Sequence, residues 1–184
     1  MKLKTASIVN ISCFGAIRPF KNHLNQAAAA IQFADEMGFE LHFHINSSRV
    51  EQRGDSILKN LRSTFRYLKN HHLIEHDWMS HEQFIWLIRS QIDMGMQVSF
   101  TETYNIVAAD HIANNVPVVA SAEIPFVCRL FRAQPNHVPS MVRALKIAYY
   151  GSFIGLQQLN QKLLCRHTHQ SVEAWRKTLK DISE

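Results

Sequence analysis

The sequence predicts an α/β protein built on an open parallel sheet. Strand, glycine turn and helix follow one another between Ala6 and Gly38, and a strand, helix, strand unit spans residues 96–120. Strands that alternate with helices are typical of parallel sheets. The chain has 184 residues, 46% apolar and 19% charged, which suits one domain and is short for two. We therefore expect residues 1–184 to form a single domain.

The first elements follow from local patterns. Apolar and β-branched residues predict a strand over 6–17, with a turn at Gly15. The alanine-rich run after Lys21 predicts a tightly packed helix that ends at Gly38. Alternating apolar residues over 39–46 predict the second strand. The remaining elements are predicted as a basic helix between Arg49 and Lys69, strands at 73–78, 96–100 and 116–120, helices starting at Ser80, Tyr104 and Pro139, and a last helix over 152–182.

The net charge of the chain indicates which class of ligand it binds. The formal charge is +5 and the isoelectric point about 9.3, which favours anionic ligands. The basic residues are scattered, so we expect a nucleotide rather than a nucleic acid. The basic helix allows two interpretations, a solvated face or a strip that faces RNA or a membrane.

The cellular compartment is predicted from the absence of a membrane span and of a secretory leader in the sequence. No stretch approaches the ~20 apolar residues of a membrane span, and Met1–Lys4 is not followed by a secretory leader. We therefore expect a cytoplasmic protein without a membrane span. Cys13, Cys128 and Cys165 are widely spaced, which predicts reduced, mostly buried thiols rather than disulfides or a zinc site.

His42 and His44 fall on one face of the second predicted strand. They are either a metal-binding pair or ordinary hydrogen-bonded histidines. We expect the second, because no third ligand is evident at a suitable spacing.

Acidic residues mark the strand, helix, strand unit as a ligand site. Glu102 follows the predicted strand 96–100, at the edge where open parallel sheets bind ligands. Asp110 follows eight positions later, about two helical turns on, so both carboxylates fall close to one face. An acid among apolar residues needs hydroxyl or amide donors, because a buried carboxylate without partners is costly. In the first unit, Gly15 and a helix that opens near Lys21 suggest an anion site.

The strand, helix, strand unit resembles the donor-binding motif of the retaining glycosyltransferase family often called group 1. In that motif a strand precedes Glu-Gly-Phe-Gly, an apolar run, a second Glu eight positions after the first, and a Gly-Val-Pro-Val-Val-Ala strand. Here Glu102 and Asp110 stand at the two acids, and residues 115–121 read NVPVVAS. Thr103 and Asn105 replace both glycines, and the aspartate is one methylene shorter than glutamate.

The first loop resembles the family segment Gly-Arg-x-x-Pro-x-Lys-Gly, whose Arg and Lys contact the donor diphosphate. Gly15, Pro19 and Lys21 match, whereas Ala16 replaces the arginine and the last glycine is lost. Arg18 is a candidate replacement, because an extended loop returns every second side chain to the same side. Likewise, Asp77-Trp78-Met79 occupies the family turn that borders the nucleobase. Trp78 either stacks on the base or belongs to the core.

The resemblance implies a Rossmann-like open parallel sheet flanked by helices, one half of a GT-B enzyme, and it implies roles. Lys21 and Glu102 would be catalytic, neutralising the leaving diphosphate and holding donor-sugar hydroxyls, and Asp110 would accept from the ribose. The other donor-binding positions would be Gly15, Arg18, Trp78, Met79, Thr103, Tyr104, Asn105, Ile106 and Val107. The nucleoside diphosphate sugar is the substrate. We expect no cofactor and no metal, since lysine and helix amides neutralise the charge.

The likeness covers residues 6–180, and all of it lies in the C-terminal, donor-binding half of the family. We expect the N-terminal acceptor domain to be absent, since 184 residues leave no room for it. Three functions stay open. The chain is a donor domain that transfers a sugar weakly alone, or with a separate N-terminal-like partner or a second copy; a degenerate, non-catalytic nucleotide or nucleotide-sugar binding module; or a structural domain with an empty cleft.

Overall fold

A five-stranded parallel sheet forms the centre of the protein, in a computed structural model that describes residues 7–183. The strands are β1 (Ile8–Ser12), β2 (Glu40–Asn46), β3 (His71–His76), β4 (Met94–Gln97) and β5 (Val118–Ala120). Their order is β3-β2-β1-β4-β5, and every pairing is parallel. The predicted α/β class with an open parallel sheet is therefore confirmed.

Helices pack on both faces of this sheet. They are α1 (His23–Met37), α2 (Asp55–Arg66), α3 (His81–Gln91), α4 (Ile106–Ala113), α5 (Val138–Ser152) and α6 (Gln158–Ser183). Successive residues of a strand face opposite sides. Ile11 accordingly packs in the core with α1, α2 and α5, whereas Ser12 contacts His111 of α4. Among the described helices, none is long and apolar enough to cross a membrane.

Several predicted boundaries were wrong, and backbone geometry explains them. The first strand stops at Ser12, because Gly15 adopts φ +115° and a 3-10 helix follows at Pro19–Lys21. The fourth strand lies two residues earlier than predicted, and its helix starts after the left-handed Asn105. The last helix begins at Gln158, not at residue 152. The predicted strand start at Ala6 and the segment Met1–Lys4 lie outside the described residues.

The structure also tests the predictions on helix ends, on Trp78 and on the cysteines. Gly38 ends α1 in the left-handed conformation, and Pro139 lies in the first turn of α5, both as predicted. Trp78 is 53% exposed, so the interpretation as a core residue was wrong. The cysteines are all free, but only Cys13 is buried; Cys165 is exposed.

The face of β2 and β3 opposite α1 is polar. It carries Glu40, His42 and His44 from β2, and His72 and His76 from β3. His42 and His72 are register partners. His44 lies opposite Ile74, and its Nδ1 is 2.9 Å from Nε2 of His76 further along β3. The histidines therefore pair across the two strands rather than along β2, a grouping that spacing within one strand could not reveal.

Candidate functional site

The loops that follow β1, β2 and β3 meet the start of α4 at the carboxyl edge of the sheet. They enclose a cleft of ≈ 220 Å³. Its lining residues are Gly15, Asn46, Trp78, Met79, His81, Phe84, Ile106, Val107 and Asp110. Six of these are residues that the sequence placed in a donor site. This edge is where open α/β sheets bind ligands.

Gly15 lines the cleft in the loop after β1. Its amide donates a hydrogen bond of 3.0 Å to Oδ1 of Asn46, the last residue of β2. A Cβ at position 15 would meet only Lys21 Cε, at 4.0 Å, so space does not require glycine. The φ of +115° does, because side-chain-bearing residues rarely adopt it. Sequence reasoning missed Asn46, although a polar residue that ends a buried strand is a usable signal.

Lys21 and Glu102 form an ion pair between Nζ and Oε1, close to Gly15. Their side chains are only 11% and 5% exposed. Glu102 Oε1 also accepts hydrogen bonds of 2.9 Å from Ser99 Oγ and from Asn105 Nδ2. The sequence placed both residues at one ligand site, and the structure brings them into direct contact. Neither lines the cleft itself, and each neutralises the other's charge.

Arg18 lies away from the cleft lining and faces Glu51, with NH1 4.0 Å from Oε2. Glu51 also accepts a hydrogen bond of 2.6 Å from Arg49 Nε. The Arg49 guanidinium lies over the ring of Trp78, 4.5 Å from its centroid. The arginine that lies over the exposed Trp78 ring is thus Arg49, whereas Arg18 faces Glu51.

The residues before α4 have different roles: one caps the helix, and others lie on the surface of the protein. Asn105 is buried and left-handed, and its Oδ1 accepts a hydrogen bond of 2.9 Å from the Ala108 amide, which caps the helix. The ring of Tyr104 packs 5.3 Å from Phe126, away from the cleft, and Thr103 is exposed. Of the predicted residues 103–107, the structure brings only the last two, Ile106 and Val107, to the cleft.

Asp110 also lines the cleft, where it contacts His81, the first residue of α3. Oδ2 of Asp110 is 3.2 Å from Nε2 of His81. The aspartate side chain is 17% exposed and the histidine 67%. Ser80 and Gln83 fix the start of α3 by a capping box, which positions the histidine. Sequence reasoning missed His81 as a site residue, because its partner comes from another helix.

His111 anchors α4 to the sheet beneath the cleft. Its Nδ1 donates to the Val107 carbonyl at 2.8 Å, so its Nε2 accepts from Ser12 Oγ, also at 2.8 Å. Burial lowers the pKa of His111 to about 4, despite the opposing hydrogen bond to Val107. A Cβ on Gly95 would lie 2.7 Å from His111 Cδ2. Glycine at 95 therefore makes room for the ring that holds α4 in place.

His23 is the other buried histidine near the site, at the start of α1. Within residues 7–183 no hydrogen bond of normal geometry reaches either ring nitrogen, although the backbone of Cys13 lies close enough to oppose the shift of the His23 pKa. Burial, then the positive charge of Lys21, lowers the pKa of His23 to about 4. A neutral imidazole beside Lys21 adds no positive charge to this region.

Comparisons with known proteins identify the fold. No family model matches the chain, and no curated protein matches its sequence. Among solved structures, the one described as trehalose-6-phosphate from E. coli bound with UDP-2-fluoro glucose aligns with a TM-score of 0.75 at 14% identity. It covers 95% of this chain and 44% of its own.

Two further structures give the same picture. A trehalose-6-phosphate synthase studied for glycosyl transfer with retention has a TM-score of 0.75 at 14% identity, covering 96% of this chain and 46% of its own. The UDP-forming α,α-trehalose-phosphate synthase of Burkholderia xenovorans has a TM-score of 0.74 at 14% identity, covering 97% and 44%. The chain spans less than half the length of these neighbours.

Proposed function

Because the chain has the fold of one half of a GT-B glycosyltransferase, we propose that its cleft binds a nucleoside diphosphate sugar and serves as the donor half of a glycosyl transfer reaction. The observation that supports this most is the layout of the cleft. Its lining combines Gly15, which lies beside the Lys21–Glu102 pair, with the carboxylate of Asp110. An extended nucleotide needs such a layout, with a cation for phosphate and an acceptor for ribose.

The residues in and beside the cleft have distinct chemical roles in this proposal. The Asp110 carboxylate accepts hydrogen bonds from the ribose hydroxyls, and the exposed face of Trp78 lies where a base can stack. In the same proposal Lys21 and the amides that open α4 face the diphosphate. The diphosphate gains negative charge as the glycosidic bond breaks, so these donors stabilise the transition state more than the bound substrate. No metal is needed for this step.

One observation favours a second candidate, a nucleotide-binding module without catalysis. The described residues that line the cleft include no lysine or arginine. Lys21 is already paired with Glu102, and Arg18 faces Glu51. Phosphate binding must therefore compete with an existing ion pair. This competition lowers the stabilisation that the leaving diphosphate would gain, and so favours binding of a nucleotide without catalysis.

A second half would supply the acceptor contacts. The chain spans less than half the length of its structural neighbours. Helix α6 also exposes large apolar side chains along its last turns, namely Val172, Trp175, Leu179 and Ile182. Contiguous exposed apolar surface marks protein contacts. In this proposal a separate GT-B-like half binds there; a second copy of this chain is the alternative, and ultracentrifugation distinguishes them.

Calorimetry tests the binding proposal. UDP, GDP and the corresponding monophosphates are titrated into the wild type, Lys21→Ala and Asp110→Asn, with Lys146→Ala as control because Lys146 pairs with Glu36 outside the cleft. The diphosphates should bind more tightly, and Lys21→Ala should shrink that preference. Asp110→Asn should weaken both nucleotides about ten- to a hundredfold, the value of a charge-assisted hydrogen bond.

The result against the proposal is equal affinity for diphosphate and monophosphate in the wild type, or no binding at all. An unchanged affinity with a large loss of melting temperature in Asp110→Asn would assign the aspartate to the scaffold through His81. Release of sugar from a bound UDP- or GDP-sugar, with and without a candidate second half, separates the catalytic proposal from the binding module.

A further inference from the structure

A second cluster of chemically active side chains lies on the polar face of β2 and β3. Glu40 and His42 are two residues apart on β2 and share a face, and His72 is the register partner of His42 on β3. Oε1 of Glu40 is 3.2 Å from Nε2 of His42 and 3.4 Å from Nε2 of His72. The three donor atoms all lie within 4.8 Å of one another.

The two distances from Glu40 are close to the edge length of a zinc coordination tetrahedron. Zinc bonds to imidazole nitrogen and carboxylate oxygen are about 2.0–2.2 Å long, so two ligand atoms in a tetrahedral site lie about 3.3 Å apart. A hydrogen bond between nitrogen and oxygen is normally about 2.7–3.2 Å. The Glu40–His72 distance exceeds that range and fits the tetrahedral edge. The two rings are also nearly perpendicular, at 76°, so both can aim a nitrogen at one point.

The charge and the exposure of the cluster also fit a cation. Among the residues that the structure describes, Glu40 pairs with these two histidines and with no lysine or arginine. With both imidazoles neutral, as metal binding requires, the three donors carry one negative charge. The side chains of Glu40, His42 and His72 are 32%, 26% and 48% exposed, so an ion can enter and a fourth position stays open to water.

We propose that Glu40, His42 and His72 bind a Zn²⁺ ion in a three-ligand site that is separate from the nucleotide cleft. The site lies near the amino end of β2, whereas Asn46 reaches the cleft from the carboxyl end of the same strand. The ion would tie β3, an edge strand, to β2. Neutral imidazole and carboxylate suit zinc among the divalent ions, and an open fourth position is typical of zinc sites that also bind water or a small ligand.

The neighbouring histidine pair does not belong to this site. His44 Nε2 hydrogen-bonds to Asn10 Oδ1 at 3.1 Å, and its Nδ1 is 2.9 Å from His76 Nε2. Both ring nitrogens of His44 are therefore occupied. His44 is thus an ordinary hydrogen-bonded histidine, as the sequence predicted. The third donor of the proposed site, His72, comes from the neighbouring strand, where spacing along β2 could not reveal it.

Calorimetry with ZnCl₂ on the untagged, chelator-treated chain tests the site. The wild type should bind one equivalent tightly, and His42→Gln, His72→Gln and Glu40→Gln should each weaken binding by at least about tenfold, since even outer-shell substitutions weaken metal sites by that factor. His169→Gln, an exposed histidine on α6, is the matched control and should not change binding. Circular dichroism verifies the fold of each variant.

A second readout protects the test if one variant fails to fold. Zn²⁺ should raise the melting temperature of the wild type, because a ligand that binds only the native state stabilises it. The shift should vanish in His72→Gln, whose side chain is the most exposed of the three and the least needed for packing. The proposal is overturned if the wild type binds no zinc, or if His42→Gln and His72→Gln bind it as tightly as His169→Gln does.

Discussion

Three buried histidines should make the protein sensitive to mild acid. His23, His44 and His111 are all less than 4% exposed as residues. Burial is the main cause in each case, and it lowers the pKa of His23 and His111 to about 4 and that of His44 to about 3. The charge of His76 beside His44 acts in the same direction.

The direction of the pH effect on the free energy of unfolding follows from proton uptake. In the unfolded chain these histidines bind protons below about pH 6.5, whereas in the folded protein they stay neutral until about pH 4. Between these values the unfolded state binds more protons, so the free energy of unfolding falls as the pH falls. Each histidine contributes at most about 1.4 kcal/mol per pH unit, and three contribute about 4 kcal/mol per pH unit near pH 5. A fall of one pH unit near pH 5 should therefore remove a large part of a typical free energy of unfolding, which is about 5–15 kcal/mol.

Urea unfolding at pH 7, 6 and 5 measures this slope. His44→Gln removes one of the three groups and should lower the slope between pH 6 and 5 by about one third. The glutamine amide can keep one of the hydrogen bonds to Asn10 or His76, so part of the stability at pH 7 should survive. A free energy of unfolding that does not change between pH 7 and pH 5 would refute the assignment of these histidines as buried and neutral.

Two further substitutions probe the packing around the site. Glu102→Gln leaves the nearly buried charge of Lys21 without a charged partner, so denaturant unfolding should show a loss of about 3 kcal/mol in the free energy of unfolding. Adding Lys21→Met should recover part of this loss. A Glu102→Gln variant as stable as the wild type would contradict a buried ion pair. Gly95→Ala places a methyl 2.7 Å from the His111 ring and should cost about 1–3 kcal/mol by the same assay. Adding His111→Ala should make the combined loss smaller than the sum, and strict additivity would rule out the clash.

The fold was predictable because its signals are local. Strands and helices alternate in the sequence, Gly38 stops α1, and Ser80 starts α3, so the class and order of the elements follow from neighbouring residues. Strand ends were less predictable. Residues 13–17 are as apolar as a strand, yet Gly15 turns the backbone there, and apolar composition carries no information on φ.

The site was predictable only where one segment supplies it. Gly15 and Asp110 were found from motifs within single loops and helices, and both line the cleft. Asn46 and His81 were missed, because each gains its role from a partner about 30 residues away in the sequence. Contacts between side chains of different elements, such as the Lys21–Glu102 pair, depend on sheet order, and sheet order is a property of the whole fold.

The position of β1 at the centre of the sheet has a consequence for synthesis. β1 pairs with β2 on one side and with β4 on the other, so its second edge waits for a strand that ends at Gln97. Ribosomes add about 5–20 residues per second, so the interval from the end of β3 at His76 to the end of β4 lasts about one to four seconds. During that time a nascent half-sheet presents unpaired backbone groups, the usual template for aggregation. Conditions that slow translation between these two strands should therefore lower the yield of folded protein more than an equal delay after β5.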